Sequence, residues 1–296
     1  MAPELLIIAG PTASGKTALA IEIARRWGAE IVGADSQQVY RRFDIGTAKP
    51  SQEELSAVPH HLVSVVEPSE TFSAARYQAL ADEAIEDIHR RGKRVVVVGG
   101  TGLYLRVLLH GVTEAPGAAP ELRARLEAEA ARDGRAALHA RLAQVDPETA
   151  ALVSPNDLVR IVRALEIFEQ TGMPASEHRR QHGFAKERYP YRLFVLDPPR
   201  EALYAAINRR VEGMWDAGLL EEARARVAEG LRDAAPMRSV GYVQALAVLE
   251  GRMTREEAIL DTAQQTRRYA KRQLTWFRKE PGAQFVPPPY DALKTL

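Results

Sequence analysis

The chain has 296 residues, with 40 Lys and Arg against 39 Asp and Glu, and no cysteine. Disulfides and cysteine-based zinc sites are excluded, and a net charge of +1 means that a polyanionic partner must be met by local patches. Apolar content of 46% suits one large or two modest globular domains, and no apolar run reaches the roughly 20 residues that span a bilayer. The first residues run into a strand pattern without a basic leader, so a cytoplasmic protein is expected.

The run Glu4 to Ala9 reads as a strand and Ala18 to Trp27 as a helix with Leu19, Ile23 and Trp27 on one face. Between them stands Gly10-Pro11-Thr12-Ala13-Ser14-Gly15-Lys16-Thr17, the P-loop pattern. Glycines there let backbone N–H groups close on phosphate oxygens, and the free N–H groups of the helix start add partial positive charge. Lys16 supplies a full charge, and the Thr17 hydroxyl can hold Mg²⁺. A ligand containing a diphosphate is expected, but the loop alone does not say whether a phosphoryl group moves.

Ala29 to Ala34 reads as a second strand ending in Asp35-Ser36-Gln37-Gln38. Ligands of open parallel sheets bind beyond the carboxyl ends of strands, which puts Asp35 in the P-loop crevice. Its carboxylate can hold a metal-bound water, act as a general base, or cap the next turn. Lys49 is either a phosphate neighbour or a solvated lysine. His60-His61 has no other ligand-type residue at metal spacing and is assigned a structural role, while Leu62 to Val66 reads as a strand. Ser73 to Arg91 is a helix closed by Gly92. Arg94 to Val98 is a fully apolar central strand, followed by Gly99-Gly100-Thr101-Gly102 and no aspartate. Many P-loop NTPases hold Mg²⁺ with an aspartate at that point. The glycines leave room for a ligand against the backbone, or simply make a tight turn.

From Gly111 the composition shifts. A linker over residues 115–120 leads to an Ala/Arg/Glu-rich helix over 121–143, turns at Asp146-Pro147 and Ser154-Pro155, and an amphipathic helix from Asp157 to Gln170. The segment from His178 to Arg192 is basic with Tyr189 and Tyr191 interleaved, which suits either nucleic acid or a solvated loop. A strand returns at Arg192 to Leu196, and helices follow. The last long helix runs from about Thr254 to Lys279, and residues 267–279 carry six basic residues and no acidic one. A solvated face usually mixes signs, so a polyanion is favoured there.

The motifs GPTASGKT at 10–17, ADSQQVYRRFDIGTAKP at 34–50, VPHHLV at 58–63, VVGGTGLYL at 97–105, NDLVRIVRALEIFEQTG at 156–172, RSVGY at 238–242 and RRYAKRQLTWFRK at 267–279 follow one another over nearly the whole chain. In these the sequence resembles the tRNA dimethylallyltransferases (tRNA isopentenyltransferases) of the bacterial type. The resemblance implies an α/β fold, a P-loop NTPase-like parallel sheet flanked by helices. Residues 1–112 and 192–296 would form this core, and residues 113–191 an inserted helical domain that contacts tRNA. The implied reaction moves the dimethylallyl group of dimethylallyl diphosphate to N6 of the adenosine beside the anticodon, with Mg²⁺ as cofactor. The partners would be the tRNA anticodon stem-loop and the prenyl donor, the protein a monomer, and no membrane is involved.

The resemblance also assigns residues. Gly10, Pro11, Thr12, Ala13, Ser14, Gly15, Lys16 and Thr17 would bind the donor, with the metal on Thr17. Lys16 and Arg210 would steady the leaving diphosphate, Asp35 accept the N6 proton, and Thr101 orient the amine. Contacts to tRNA are expected from Asp35, Ser36, Gln37, Gln38, Thr101 and Arg123. Further contacts fall at Val159, Arg160, Ile161, Val162 and Arg163, at Arg238, Ser239, Val240, Gly241, Tyr242 and Val243, and at Lys271 and Arg272. The target base must leave its stack to react. Against this stand a P-loop kinase of a small metabolite and a nucleic-acid-binding ATPase, both of which consume ATP.

Overall fold

The computed structural model describes residues 3–113, 115–183 and 186–294. The core and insertion spans given above include residues 1, 2, 114, 184, 185, 295 and 296, which lie outside the described residues. The first stretch runs β1 (Leu5–Ala9), α1 (Lys16–Trp27), β2 (Glu30–Gly33), α2 (Gln52–Ala57), β3 (His60–His61), α3 (Ala74–Arg90), β4 (Val95–Gly99) and α4 (Gly102–His110). Five helices follow: α5 (Pro120–Asp133), α6 (Arg135–Val145), α7 (Pro147–Leu152), α8 (Leu158–Thr171) and α9 (Ala175–His182). The chain then completes the sheet through β5 (Tyr191–Leu196), α10 (Arg200–Asp216), α11 (Leu219–Ala228), a 3₁₀ turn (Ala235–Arg238), α12 (Tyr242–Leu249), α13 (Arg255–Phe277), β6 (Ala283–Val286) and α14 (Asp291–Lys294).

All six strands are parallel, in the order β3-β2-β4-β1-β5-β6. Successive strand side chains point to opposite faces, and both faces here are covered. Leu5, Ile7, Val95, Val97, Leu193 and Val195 pack one face against α3 and α4, while Leu6, Ile8, Val96, Val98 and Leu196 pack the other against α1. A separate core gathers α10 to α13 around Tyr242, Trp215 and Phe43. The chain divides into two compact units, residues 1–109 with 188–296, and residues 110–187. The second is all helical, with its own core of Leu126, Leu138, Leu142, Ile161, Val162 and Leu165.

Two sheet elements depart from the sequence expectation. The run Leu62 to Val66 is not a strand, because Leu62 and Ser64 take φ of +64° and +54°. The strand is instead His60–His61, paired with Ile31 and Val32. The second, β6, has no counterpart among the expected strands. The expected helix over 121–143 is two helices, split at Gly134 (φ +90°). The basic segment at 178–192 is largely paired internally: Arg180 with Glu177 and Glu148, Arg188 and Tyr189 with Asp82, Arg192 with Glu4.

Glu30 opens β2 almost fully buried, at 2% exposure. Its carboxylate accepts from Arg91 and from Lys93 (2.8 Å), and pairs with His61 Nε2 at 2.7 Å. The Arg91 guanidinium, ahead of Lys93 and His61, holds the carboxyl well below the usual glutamate range against the opposing effect of burial. Glu30→Gln is expected to lower stability by about 1–3 kcal/mol, since the partner heads stay partly solvated. Urea unfolding checks this. The deficit should be full above the ordinary glutamate pKa and shrink as pH falls toward the depressed value, where wild type loses the same charge.

Candidate active site

Three strand ends meet the crevice, and lateral backbone bonds hold them together. Ala9 is paired with Gly99, the Ala34 N–H donates to Val98 O at 2.7 Å, and the Thr101 N–H donates to Ala34 O at 3.2 Å. The loop after β1, Asp35 after β2 and Thr101 after β4 are therefore brought side by side at the carboxyl edge, where parallel sheets bind ligands.

The loop has the conformation an anion cradle needs. Gly15 (φ +86°) caps α1 without a side-chain hydrogen bond, and no acidic residue occupies the first turn. The N–H groups of that turn stay open to an anion. Ala13, a non-glycine, sits at φ +63°, a strained conformation of the kind that collects at functional sites. Lys16 Nζ donates to Pro11 O at 2.6 Å. Burial, reinforced by Arg210 and opposed by Asp35, brings its pKa down to about 7. Arg210 donates to Thr12 Oγ1 at 3.2 Å, and burial holds it below the usual arginine value as well.

Asp35 Oδ1 accepts the N–H groups of Gln37 (2.8 Å) and Gln38 (3.3 Å), so the carboxylate caps its own turn. The Thr101 hydroxyl accepts the Ser36 N–H at 3.0 Å, and the Gln38 side chain donates to Ala48 O at 2.9 Å. Thr101 itself is not among the described residues that line the cavity, whereas the adjoining Gly99 and Gly100 are.

The cavity holds roughly 320 Å³. Lys16, Arg210 and Arg238 line it, Asp35 is the only acidic residue among its described lining, and Val63, Val98, Ile207, Val211, Met214 and Val240 supply an apolar part. Gln37 Oε1 and His60 Nε2 in the lining, and Ser14 Oγ in the loop, are buried with no hydrogen-bond partner among the described residues. Such atoms are costly unless a ligand or water meets them.

Sequence reasoning missed the inner stripe of α13. Thr262, Thr266, Tyr269 and Gln273 reach the cavity at spacings of four, three and four residues, one face of a helix. Helical spacing alone puts these four on one face, but nothing local in the chain marks that face as facing a phosphate site. Burial and then the Asp35 charge push the Tyr269 hydroxyl pKa up, against the opposing effect of Arg272 and of the Thr101 and Gln273 side chains. Gly99 and Gly100 line the cavity, and protein packs closely on Gly100 where a side chain would stand, since a Cβ there would meet Gln273 Nε2 at 2.2 Å. Lys49 is neither solvated nor in the cavity, because it donates to Tyr40 O (2.7 Å) and pairs with Asp44.

The remaining sequence-assigned residues are dispersed. Arg238, Ser239 and Val240 line the cavity with Asp35 to Gln38. Tyr242 is buried and bonded to Glu222, Gly241 takes φ +100°, and Val243 is exposed. Lys271 and Arg272 are exposed on α13, with Arg272 over the Tyr269 ring. In the second unit Val159 is 80% exposed, while Ile161 and Val162 lie in the core. Arg160 pairs with Asp157, and Arg123 and Arg163 both clasp the buried Glu166. Glu166 is held at about 2, its pKa lowered by Arg123, the Ala119 N–H and Arg163 against the effect of burial.

A parallel sheet with an anion-cradle loop after its β1 strand and a carboxylate after a neighbouring strand defines a P-loop NTPase-like fold. The model of the IPP transferase family matches residues 38–280, and the chain belongs to that family. A tRNA dimethylallyltransferase from Myxococcus xanthus (strain DK1622) is 70% identical over 294 residues, covering 99% of this chain and 96% of the relative. Among solved structures, a full-length tRNA isopentenylpyrophosphate transferase from Bacillus halodurans is 40% identical, with a TM-score of 0.73 over 99% of this chain and 93% of that one. A eukaryotic dimethylallyltransferase acting on tRNA is 28% identical, with a TM-score of 0.81 over 98% of this chain and 75% of that one. Prenyl transfer in such a family usually calls for a divalent metal.

Proposed function

We propose that the chain is a tRNA dimethylallyltransferase, moving the dimethylallyl group of dimethylallyl diphosphate to N6 of the adenosine beside the anticodon. The observation that carries this is the cavity lining, which combines Lys16, Arg210 and Arg238 with apolar side chains and a single carboxylate among the described residues. That set fits a diphosphate, a short hydrocarbon tail and one proton to be removed. The names of its relatives agree.

In this reading the loop N–H groups, Lys16 and Arg210 take the diphosphate and stabilise its charge as the allylic C–O bond breaks. The N6 amine is a weak nucleophile because its lone pair is delocalised into the ring. Asp35 accepts its proton as the C–N bond forms. Thr101, through Ser36, fixes the turn that aims the carboxylate. The residues also fit Mg²⁺. The Thr17 hydroxyl lines the cavity, and no group of three or more His, Asp or Glu among the described residues forms a metal cage of its own. Mg²⁺ commonly binds that way, through few protein oxygens and substrate phosphates. When bound it would offset charge on the leaving diphosphate.

Residues 35–38, 238–240 and 243 and the exposed Lys271 and Arg272 are the expected tRNA contacts in the first unit, and Val159 and Arg160 those in the second, while Gly241, Tyr242, Ile161 and Val162 are buried and Arg123 and Arg163 are committed to Glu166. The protein would act as a cytoplasmic monomer. No helix of the described residues is long and apolar enough to cross a membrane. A diphosphate-release assay with Mg²⁺ tests the reading. Release from dimethylallyl diphosphate should require unmodified tRNA, and ATP in a parallel reaction should remain intact. ATP consumption without tRNA-dependent diphosphate release would instead establish the kinase or ATPase.

A further inference from the structure

Gln273 joins two parts of the cavity wall that lie far apart in the chain. Its Oε1 accepts the Thr12 N–H at 2.8 Å, and its Nε2 donates to Gly100 O at 2.9 Å. Thr12 belongs to the diphosphate loop, and Gly100 immediately precedes Thr101 at the end of β4. Gln273 is 6% exposed, so water competes little for either bond. Only glycine at position 100 leaves space for this carboxamide. One turn earlier on α13, the Tyr269 hydroxyl interacts with both the Gln273 and Thr101 side chains. Thr12 is held a second time, by Arg210 on its hydroxyl.

We propose that Gln273 is a positioning residue for prenyl transfer, its carboxamide fixing the diphosphate loop relative to the strand end that carries Thr101. The proposal rests on the prenyl-transfer reading above. The Thr12 N–H, already given to Gln273, is not a phosphate donor; it is the anchor that aims the loop's remaining N–H groups. Through Thr101 and Ser36 the same brace reaches the Asp35 turn. Donor and base are thereby set at one separation. A misplacement of about 1 Å can cost on the order of 100-fold in rate.

The test uses Gln273→Met, which keeps the length and volume of the side chain and removes both hydrogen bonds. Calorimetry with inorganic diphosphate and Mg²⁺, steady-state kinetics and a melting curve are measured on the full chain. The diphosphate Kd and the donor KM should rise about tenfold, with a fall in kcat and a tRNA KM within about twofold of wild type. Gly100→Ala, whose Cβ displaces the Gln273 amide, should reproduce the pattern and serves if the first variant does not fold. A lower melting temperature with unchanged diphosphate Kd and donor KM in both variants would overturn the proposal. The calorimetric arm involves no prenyl group or tRNA. Wild type that binds diphosphate but transfers nothing would sink the prenyl-transfer reading alone.

Discussion

Asp35→Asn is expected to lower kcat by roughly 1,000-fold while leaving tRNA affinity within about twofold of wild type. The substitution separates the two roles that the structure gives this side chain. Asparagine keeps an oxygen that can accept the Gln37 and Gln38 N–H groups, so the turn should survive. It has no basic carboxylate, so the N6 proton loses its assigned acceptor, Asp35 being the only acidic residue among the described lining. Asp35→Ala removes the turn cap as well and should lose both kcat and some tRNA affinity. Single-turnover kinetics with saturating donor, beside a filter-binding titration of tRNA, read the two quantities separately. Full turnover in Asp35→Asn would remove the residue from proton transfer and leave it a turn cap.

The second large effect is a pH dependence of donor binding. Burial first, and then Arg210, lowers the pKa of Lys16 to about 7. Below that value it is an ammonium ready for the diphosphate, and above it a neutral amine. The incoming anion favours the charged form, so binding at higher pH must first return a proton. Donor Kd should therefore be flat below about pH 7 and rise by up to tenfold per pH unit above it. At about pH 8 close to one proton should be taken up per diphosphate bound, read by calorimetry in buffers of different ionisation enthalpy. Lys16→Met should bind weakly at every pH and flatten the profile. The same shift acts on the fold with its own sign. The unfolded chain holds this proton up to the ordinary lysine value, so Lys16 penalises folding below about pH 7. The penalty fades as pH rises through the interval between the two values. A donor affinity independent of pH from about 7 to 9, with no proton uptake, would contradict the assignment of Lys16 as a charge-bearing ligand.

What could be read from the sequence was what is local. The loop from Gly10 to Thr17 is a contiguous pattern, and Asp35 follows from one rule about where parallel strands end. Both line or border the cavity. The fully apolar β4 is legible for the same reason, since a strand covered on both faces needs no alternation. Elements set by tertiary pairing were not legible. His60–His61 is too short and polar to look like a strand, and exists because Ile31 and Val32 offer it an edge. Ala283–Val286 is ordered by pairing with β5. Leu62 to Val66 has strand-like composition, but two residues of positive φ defeat it. Gln273 shows the limit most sharply. Its partner Thr12 lies 261 residues away, and nothing near it in the chain marks it as part of a phosphate site. Arg123 shows the converse: a basic residue assigned to tRNA spends its guanidinium on the buried Glu166.

The most direct measurement is mass spectrometry of the nucleosides from unmodified tRNA incubated with the protein, Mg²⁺ and dimethylallyl diphosphate. One adenosine, the one beside the anticodon, should carry a five-carbon prenyl group on N6, with one diphosphate released for each. Unchanged nucleosides, or a phosphoryl group transferred from ATP in the parallel reaction, would contradict the account and return the loop to a nucleotide site.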